Sequence, residues 1–170
     1  ETQVLAGLLN DSESRSATGI PGLIDVPLLR HLFGTVSNTR DKTEVVLLVR
    51  SDSPWKTLPE FIAAARAGKA AGAPLNYASF GNASSFHIYG EALKRGAGID
   101  LTHIPYKGES LSIIDLLGGQ VTSSFNSIGT AMPHLKSGRV RALALVGQVR
   151  SKVMPEVPTF GESGVPKLDT

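Results

Sequence analysis

The clearest pattern along the chain begins at residue 44, where an apolar run is followed by helical periodicity. The run 44–50 (EVVLLVR) is apolar and β-branched without alternation, which is typical of a strand buried on both faces, and we expect a parallel strand. From 57 to 67 apolar residues recur at helical spacing. Thr57 with Glu60 forms a capping box and Gly68 offers a stop, so the pattern predicts a helix.

This alternation of strand and helix repeats to the end of the interpretable sequence. Further helices are predicted at 84–95, 109–117 and 128–136, with a short one at 159–163, and further strands at 75–79, 101–105, 121–125 and 140–146. Strands that alternate with helices favour βαβ crossovers. The predicted class is therefore α/β, a mostly parallel sheet with helices on both faces. A strand at 4–9 and a helix from 27 to 33 are weaker predictions, and residues 1–43 are either an added layer or the remnant of a neighbouring domain.

Composition narrows the class of function. The 170 residues are 41% hydrophobic and 19% charged, with a net charge of +2, which is typical of a globular chain and leaves no basic patch for nucleic acid. Cysteine is absent, and the four histidines show no metal-ligand spacing, so we expect no metal and no cofactor. No apolar run is long enough to span a membrane, and the first residues lack the pattern of a signal peptide.

The candidate chemistry lies in the loops that follow the strands, because ligands bind at the carboxyl ends of strands in an open α/β sheet. The loop after the second strand contains Ser79, Gly81, Asn82, Ala83, Ser84 and Ser85. Glycine allows a close backbone approach, and a helix start offers unpaired N–H groups to a carboxylate or phosphate. The alternative is that Ser84 or Ser85 only caps the helix.

Two further loops offer polar groups. Tyr106 and Lys107 follow the third strand and could contact a ligand by a hydroxyl and an ammonium, although an exposed lysine is usually only solvated. Asn126 and Ser127 follow the fourth strand, and Asn126 could line a small polar pocket or cap the next helix. The sequence contains neither a glycine-rich nucleotide-binding loop nor the Gly-x-Ser-x-Gly motif of serine hydrolases. His87 is three residues from Ser84, but the sequence offers no carboxylate to orient it as a catalytic base. His103 lies inside an apolar strand and is interpreted as a core histidine.

These loops belong to a set of motifs that occur in a fixed order: 75–87 (LNYASFGNASSFH), 103–108 (HIPYKG), 115–121 (DLLGGQV), 133–144 (PHLKSGRVRALA), and 155–159 (PEVPT) with 164–166 (GVP). Together they resemble the substrate-binding receptors of tripartite tricarboxylate transporters, also called Bug receptors. The resemblance covers residues 44–166 well and 1–43 loosely.

The resemblance implies a two-lobed periplasmic receptor with a fold like type II periplasmic binding proteins. Such a receptor captures a small organic carboxylate, without catalysis, and delivers it to membrane subunits of the transporter. The implied ligand residues are those named above in the three loops. Ala83 stands where the family usually has glycine. Asn126 stands where many members have aspartate, and the loss of that negative charge favours an anionic ligand without an ammonium group.

Family members are about twice as long as this chain, so the resemblance also implies a division of the sequence. Residues 1–43 are a remnant of the first lobe or a hinge segment, 44–150 the second ligand-binding lobe, and 151–170 a return segment toward the first lobe. Two alternatives stay open. One is an α/β enzyme acting on a carboxylated or phosphorylated metabolite through Ser84, Lys107 and His87. The other is a structural fragment that self-associates through the surface exposed by the missing lobe.

Overall fold

The chain divides into two units, Glu1–Lys42 and Thr43–Thr170, and the computed structural model describes residues 44–165 and Leu168, all in the second. The predictions at 4–9 and 27–33, and those for 166–170, lie outside the described residues. The strands are β1 (Val45–Arg50), β2 (Asn76–Ser79), β3 (Thr102–Pro105), β4 (Ser123–Ser127) and β5 (Val140–Leu145). The helices are α1 (Leu58–Ala70), α2 (Ser85–Ala97), α3 (Glu109–Leu117) and α4 (Ile128–Lys136).

The strands form one sheet in the order β3-β2-β4-β1-β5. Strand β2 is parallel to β3 and β4, whereas β1 is antiparallel to both β4 and β5. Four strands therefore run in one direction, and the predicted α/β class with a mostly parallel sheet is confirmed. The expectation that β1 is itself parallel was wrong. Burial on both faces produces the same apolar run in a parallel and in an antiparallel strand, so the sequence of this segment does not indicate its direction.

Two layers of helices cover the sheet. Alternate residues of β1 enter different cores: Val45, Leu47 and Val49 pack on the face covered by α1 and α2, whereas Val46 and Leu48 pack on the face covered by α3 and α4. This two-sided burial explains the unbroken apolar sequence of β1. Helix α1 begins as the capping box predicts, with the Thr57 hydroxyl accepting from the Glu60 N–H. No helix in the described part of the chain combines the length and apolar character needed to cross a membrane.

Several predicted bounds differ from the structure by one to three residues, and one predicted helix is not formed. Strand β4 spans Ser123–Ser127 and not 121–125, so it includes Asn126 and Ser127, and Val121 packs into the core on the α3 and α4 face before the strand starts. The helix predicted at 159–163 was wrong. Thr159 instead forms an isolated parallel bridge with Leu145, and the residues that follow make turns. The bridge attaches this segment to the end of β5.

Candidate functional site

The three candidate loops lie at one edge of the sheet. The first two loops lie at the carboxyl ends of β2 and β3, and Asn126 and Ser127 are the last two residues of β4. Strands β3 and β4 are both parallel to β2, which lies between them, so the prediction of a shared edge is confirmed. The Tyr106 N–H donates to the Ser79 carbonyl at 2.8 Å, which joins the first two loops. The second and third are joined through Glu109, whose carboxylate accepts from Ser127. Small-molecule contacts to more than one loop are therefore geometrically feasible.

The loop from Ser79 to Ser85 is shaped by two residues with positive φ. Gly81 has φ 119°, a conformation open to glycine, and Ala83 has φ 60°, which is uncommon for a residue with a Cβ. Ser84 is the N-cap of α2: its hydroxyl accepts from the His87 N–H at 3.2 Å and donates to the Gly81 carbonyl at 2.9 Å. The cap hypothesis therefore holds for Ser84, whose hydroxyl already has partners on both sides.

The start of α2 nevertheless presents donors to solvent. Ser85 is exposed, and within residues 44–165 no hydrogen bond engages its hydroxyl, its N–H or the N–H of Phe86. Asn82 is exposed beside them, whereas Ser79 is fully buried, with its hydroxyl donating to the Gly81 carbonyl. The exposed polar side chains of this loop are therefore those of Asn82 and Ser85, at its far end.

The second loop divides in the same way between exposed and committed groups. The Tyr106 hydroxyl donates to the Asp115 carboxylate at 2.7 Å, and burial, together with this bond, raises the pKa of Tyr106 to about 12. Lys107 is exposed. Gly108 is the N-cap of α3 and brings no side chain to its first turn, so this helix also starts with uncapped N–H groups. Lys107 and the start of α3 can therefore meet an anion, whereas the Tyr106 hydroxyl is already engaged.

The third loop is closed off by Glu109, the first residue of α3. The Glu109 carboxylate accepts from the Ser127 N–H at 2.6 Å and from the Ser127 hydroxyl at 2.7 Å, so it occupies the start of α4. Asn126 is fully buried and donates from Nδ2 to the Glu109 carbonyl and to the Ser112 hydroxyl. Its Oδ1 is buried without a hydrogen-bond partner. Only the acidic residue at the first position of α3 hinted at this contact.

Behind the first loop, Tyr77, His103 and His87 form a stack of three rings. The centroids of His87 and His103 lie 3.9 Å apart with the rings almost parallel, and those of His103 and Tyr77 lie 4.9 Å apart. Burial, and then the neighbouring His87, lowers the pKa of His103. His103 Nε2 lies 2.8 Å from the Ser79 hydroxyl, so this histidine has a partner, but it is half-buried and not the core residue that the sequence suggested.

An acid and a base flank this stack on α2. Glu91 accepts from the Tyr77 hydroxyl at 3.0 Å and from Lys94 at 2.9 Å. Burial alone would raise the pKa of Glu91, but the hydrogen bonds from Lys94 and Tyr77 outweigh it and hold that pKa below its ordinary value. Burial also raises the pKa of the Tyr77 hydroxyl. Among residues 44–165, no three His, Asp or Glu side chains gather in a way that could hold a metal ion.

A family model described as tripartite tricarboxylate transporter family receptor matches residues 31–169 of the chain. A second model, described as bacterial type II and III secretion system protein, matches residues 1–52, which is less than half of the sequence. Among curated proteins, the "UPF0065 protein in gbd 5'region" of Cupriavidus necator is 40% identical over 124 residues, which are 73% of this chain and 37% of that protein.

Two solved structures from Rhodopseudomonas palustris resemble the chain closely. MatC with bound malate superposes with a TM-score of 0.67 at 31% identity, and another protein solved with adipate superposes with a TM-score of 0.68 at 28% identity. Each match covers 75% of this chain and 42% of the solved one. The chain therefore spans about two-fifths of the length of the relatives that it matches.

Proposed function

The chain belongs to the tripartite tricarboxylate transporter receptor family, and from this premise we propose that it forms one ligand-binding lobe of an extracytoplasmic receptor for small organic carboxylates. Relatives of the chain are about twice its length, so the complete clamp includes a second lobe. Capture of the ligand between two lobes removes it from water and surrounds it with donors.

The observation that carries this proposal is the pair of open helix starts at one sheet edge. At α2 the N–H groups of Ser85 and Phe86 and the Ser85 hydroxyl have no partner in the described range, and at α3 the cap is glycine with Lys107 beside it. Helix starts carry partial positive charge and favour a carboxylate. The third start, that of α4, already holds a carboxylate, the one from Glu109. This internal contact illustrates how such a corner binds an acid.

The ligands bound to two relatives suggest the class of ligand. One was solved with malate and the other with adipate, and both of these are dicarboxylates. We propose that the α2 corner, with Gly81, Asn82, Ala83, Ser84 and Ser85, receives one carboxylate. Lys107 attracts the ligand by its charge. We also propose delivery to membrane subunits of a tripartite transporter in the periplasm, which membership of the family supports. Self-association of this chain stays a prediction.

We infer binding without turnover. The two side chains that an enzyme would use as nucleophile and base are already engaged in structural hydrogen bonds. The Ser84 hydroxyl caps α2, and Nδ1 of His87 accepts from the Ala83 N–H at 3.0 Å. A histidine held in this way is no base for Ser84, and the enzyme alternative has no observation in its favour.

Thermal-shift screening tests the proposal, followed by calorimetry with the carboxylates that shift the melting temperature. The screen compares mono-, di- and tricarboxylates with uncharged diamides of the same length, on the 170-residue chain and on a version extended to the full length of its relatives. We expect dicarboxylates to stabilise the extended version and the diamides to have no effect. Stabilisation by the diamides as strong as by the acids would contradict an anion corner.

A further inference from the structure

The loop that carries the proposed ligand corner is held in an unfavourable shape by a histidine. Ala83 has φ 60°, a left-handed conformation that is unfavourable for a residue with a Cβ. The N–H of this residue points back and donates to Nδ1 of His87 at 3.0 Å. Because His87 sits on the first turn of α2, this bond ties the loop to the helix that presents Ser85.

The other end of the same loop is tied to the second histidine. The Ser79 hydroxyl has one proton, which it donates to the Gly81 carbonyl, so His103 donates its Nε2–H to the Ser79 oxygen at 2.8 Å. The rings of His87 and His103 stack with their centroids 3.9 Å apart, so the hydrogen bonds that they make to Ala83 and Ser79 support one another. The loop from Ser79 to Ala83 is thus held at both ends by one pair of rings.

We propose that the stacked pair of His87 and His103 positions the ligand loop, and that this hold requires a neutral His87. An imidazole nitrogen accepts a hydrogen bond only while it carries no proton, because imidazolium donates from both nitrogens. Protonation of His87 therefore breaks the bond to Ala83 and releases the loop beside Ser85. Both histidines are positioning residues. The inference rests on the proposed function, since it assigns this loop to the ligand.

The charged and titratable groups around His87 come from three elements. On α2, Glu91 lies 3.8 Å from Nε2 of His87, and Lys94 is paired with Glu91. Strand β3 contributes His103, and β2 contributes Tyr77, whose hydroxyl donates to Glu91. Replacement of His87 alone, with the other four groups kept, isolates its contribution.

Two variants separate the hydrogen bond from the ring. His87→Asn places an amide oxygen near the position of Nδ1, so it keeps an acceptor that does not titrate. His87→Phe keeps a ring on His103 and removes the acceptor. In the ligand-free 170-residue chain, the amide resonance of Ala83 is followed by NMR from pH 7.5 to pH 5, the range in which imidazoles generally change charge.

We expect the Ala83 amide to move with pH in the parent chain, to stay near its neutral-pH position in His87→Asn and to be displaced at every pH in His87→Phe. Carboxylate binding to the extended version is then measured across the same range. The parent should lose about five- to tenfold in affinity on acidification, the loss of one hydrogen bond. His87→Asn should bind equally at all pH values, and His87→Phe should bind weakly at all of them.

Each result decides a different point. If no carboxylate binds any variant while the Ala83 amide behaves as expected, the proposed function fails and the positioning role stands. If carboxylates bind and the parent binds more tightly at pH 5, His87 acts by its charge and the positioning role is overturned. A pH-independent Ala83 amide in the parent, or His87→Phe binding like the parent, also overturns it. Thermal melts of both variants show whether a weak signal comes from unfolding.

Discussion

Two neighbouring serines provide the sharpest test of the proposed corner, because the structure gives them opposite roles. The Ser84 hydroxyl is engaged by His87 and Gly81, as the cap of α2. The Ser85 hydroxyl is exposed and has no partner in the described range. We therefore expect Ser84→Ala to reduce stability and Ser85→Ala to reduce carboxylate binding.

The size of each effect follows from the contacts. Loss of a serine N-cap costs about 0.5–2 kcal/mol of unfolding free energy, so Ser84→Ala should lower the melting temperature by several degrees. A hydroxyl that donates to a buried carboxylate contributes about 1.5–3 kcal/mol, so Ser85→Ala should weaken binding about ten- to a hundredfold after the lobes close. In the single lobe Ser85 stays exposed, and the effect there should be smaller.

The assay is a crossed design in which both variants are melted without ligand and titrated with the tightest carboxylate by calorimetry. Ser137→Ala is the control: Ser137 is exposed at the opposite end of α4, and its hydroxyl donates to the His134 carbonyl. It should bind like the parent. Ser85→Ala binding as tightly as the parent, when the parent binds, would show that the start of α2 does not hold the carboxylate.

Three further outcomes are expected. Lys107→Ala should weaken binding about two- to fivefold at low ionic strength, and less as salt rises, in calorimetry at two salt concentrations. Gly90→Ala would place a Cβ 2.1 Å from the Tyr77 ring and should lower the free energy of unfolding by about 1–3 kcal/mol in urea melts. Gly129→Ala is the control, because a Cβ there has nothing within 4 Å and should not destabilise the fold. Burial lowers the pKa of His103, so the folded chain takes up this proton less readily than the unfolded chain, and stability should fall as pH drops below 6.5. In thermal melts at pH 7.5 and pH 5, His103→Gln should lose less stability on acidification than the parent.

Much of the candidate site could be located from the sequence, whereas its division into available and engaged groups could not. The strand-end rule placed Ser85 and Lys107 at one edge because parallel strands end on the same side. It placed Asn126 there too, yet the side chain of Asn126 points under the first turn of α3. The Glu109 carboxylate lies 18 positions from Ser127 in the sequence, and no local pattern reports such a contact.

Most helices and strands of this protein could be predicted from the chain alone. The capping box at Thr57 and the helical periodicity after it depend on neighbours three and four residues apart, which a linear pattern records. Only the tertiary structure decided the direction of β1 and the fate of the segment at Thr159. The first depends on pairing with β4 and β5, and the second on a bridge to Leu145. Pairing between distant segments is decided by which partners the assembled sheet makes available, since the apolar residues that drive burial carry no direction of their own.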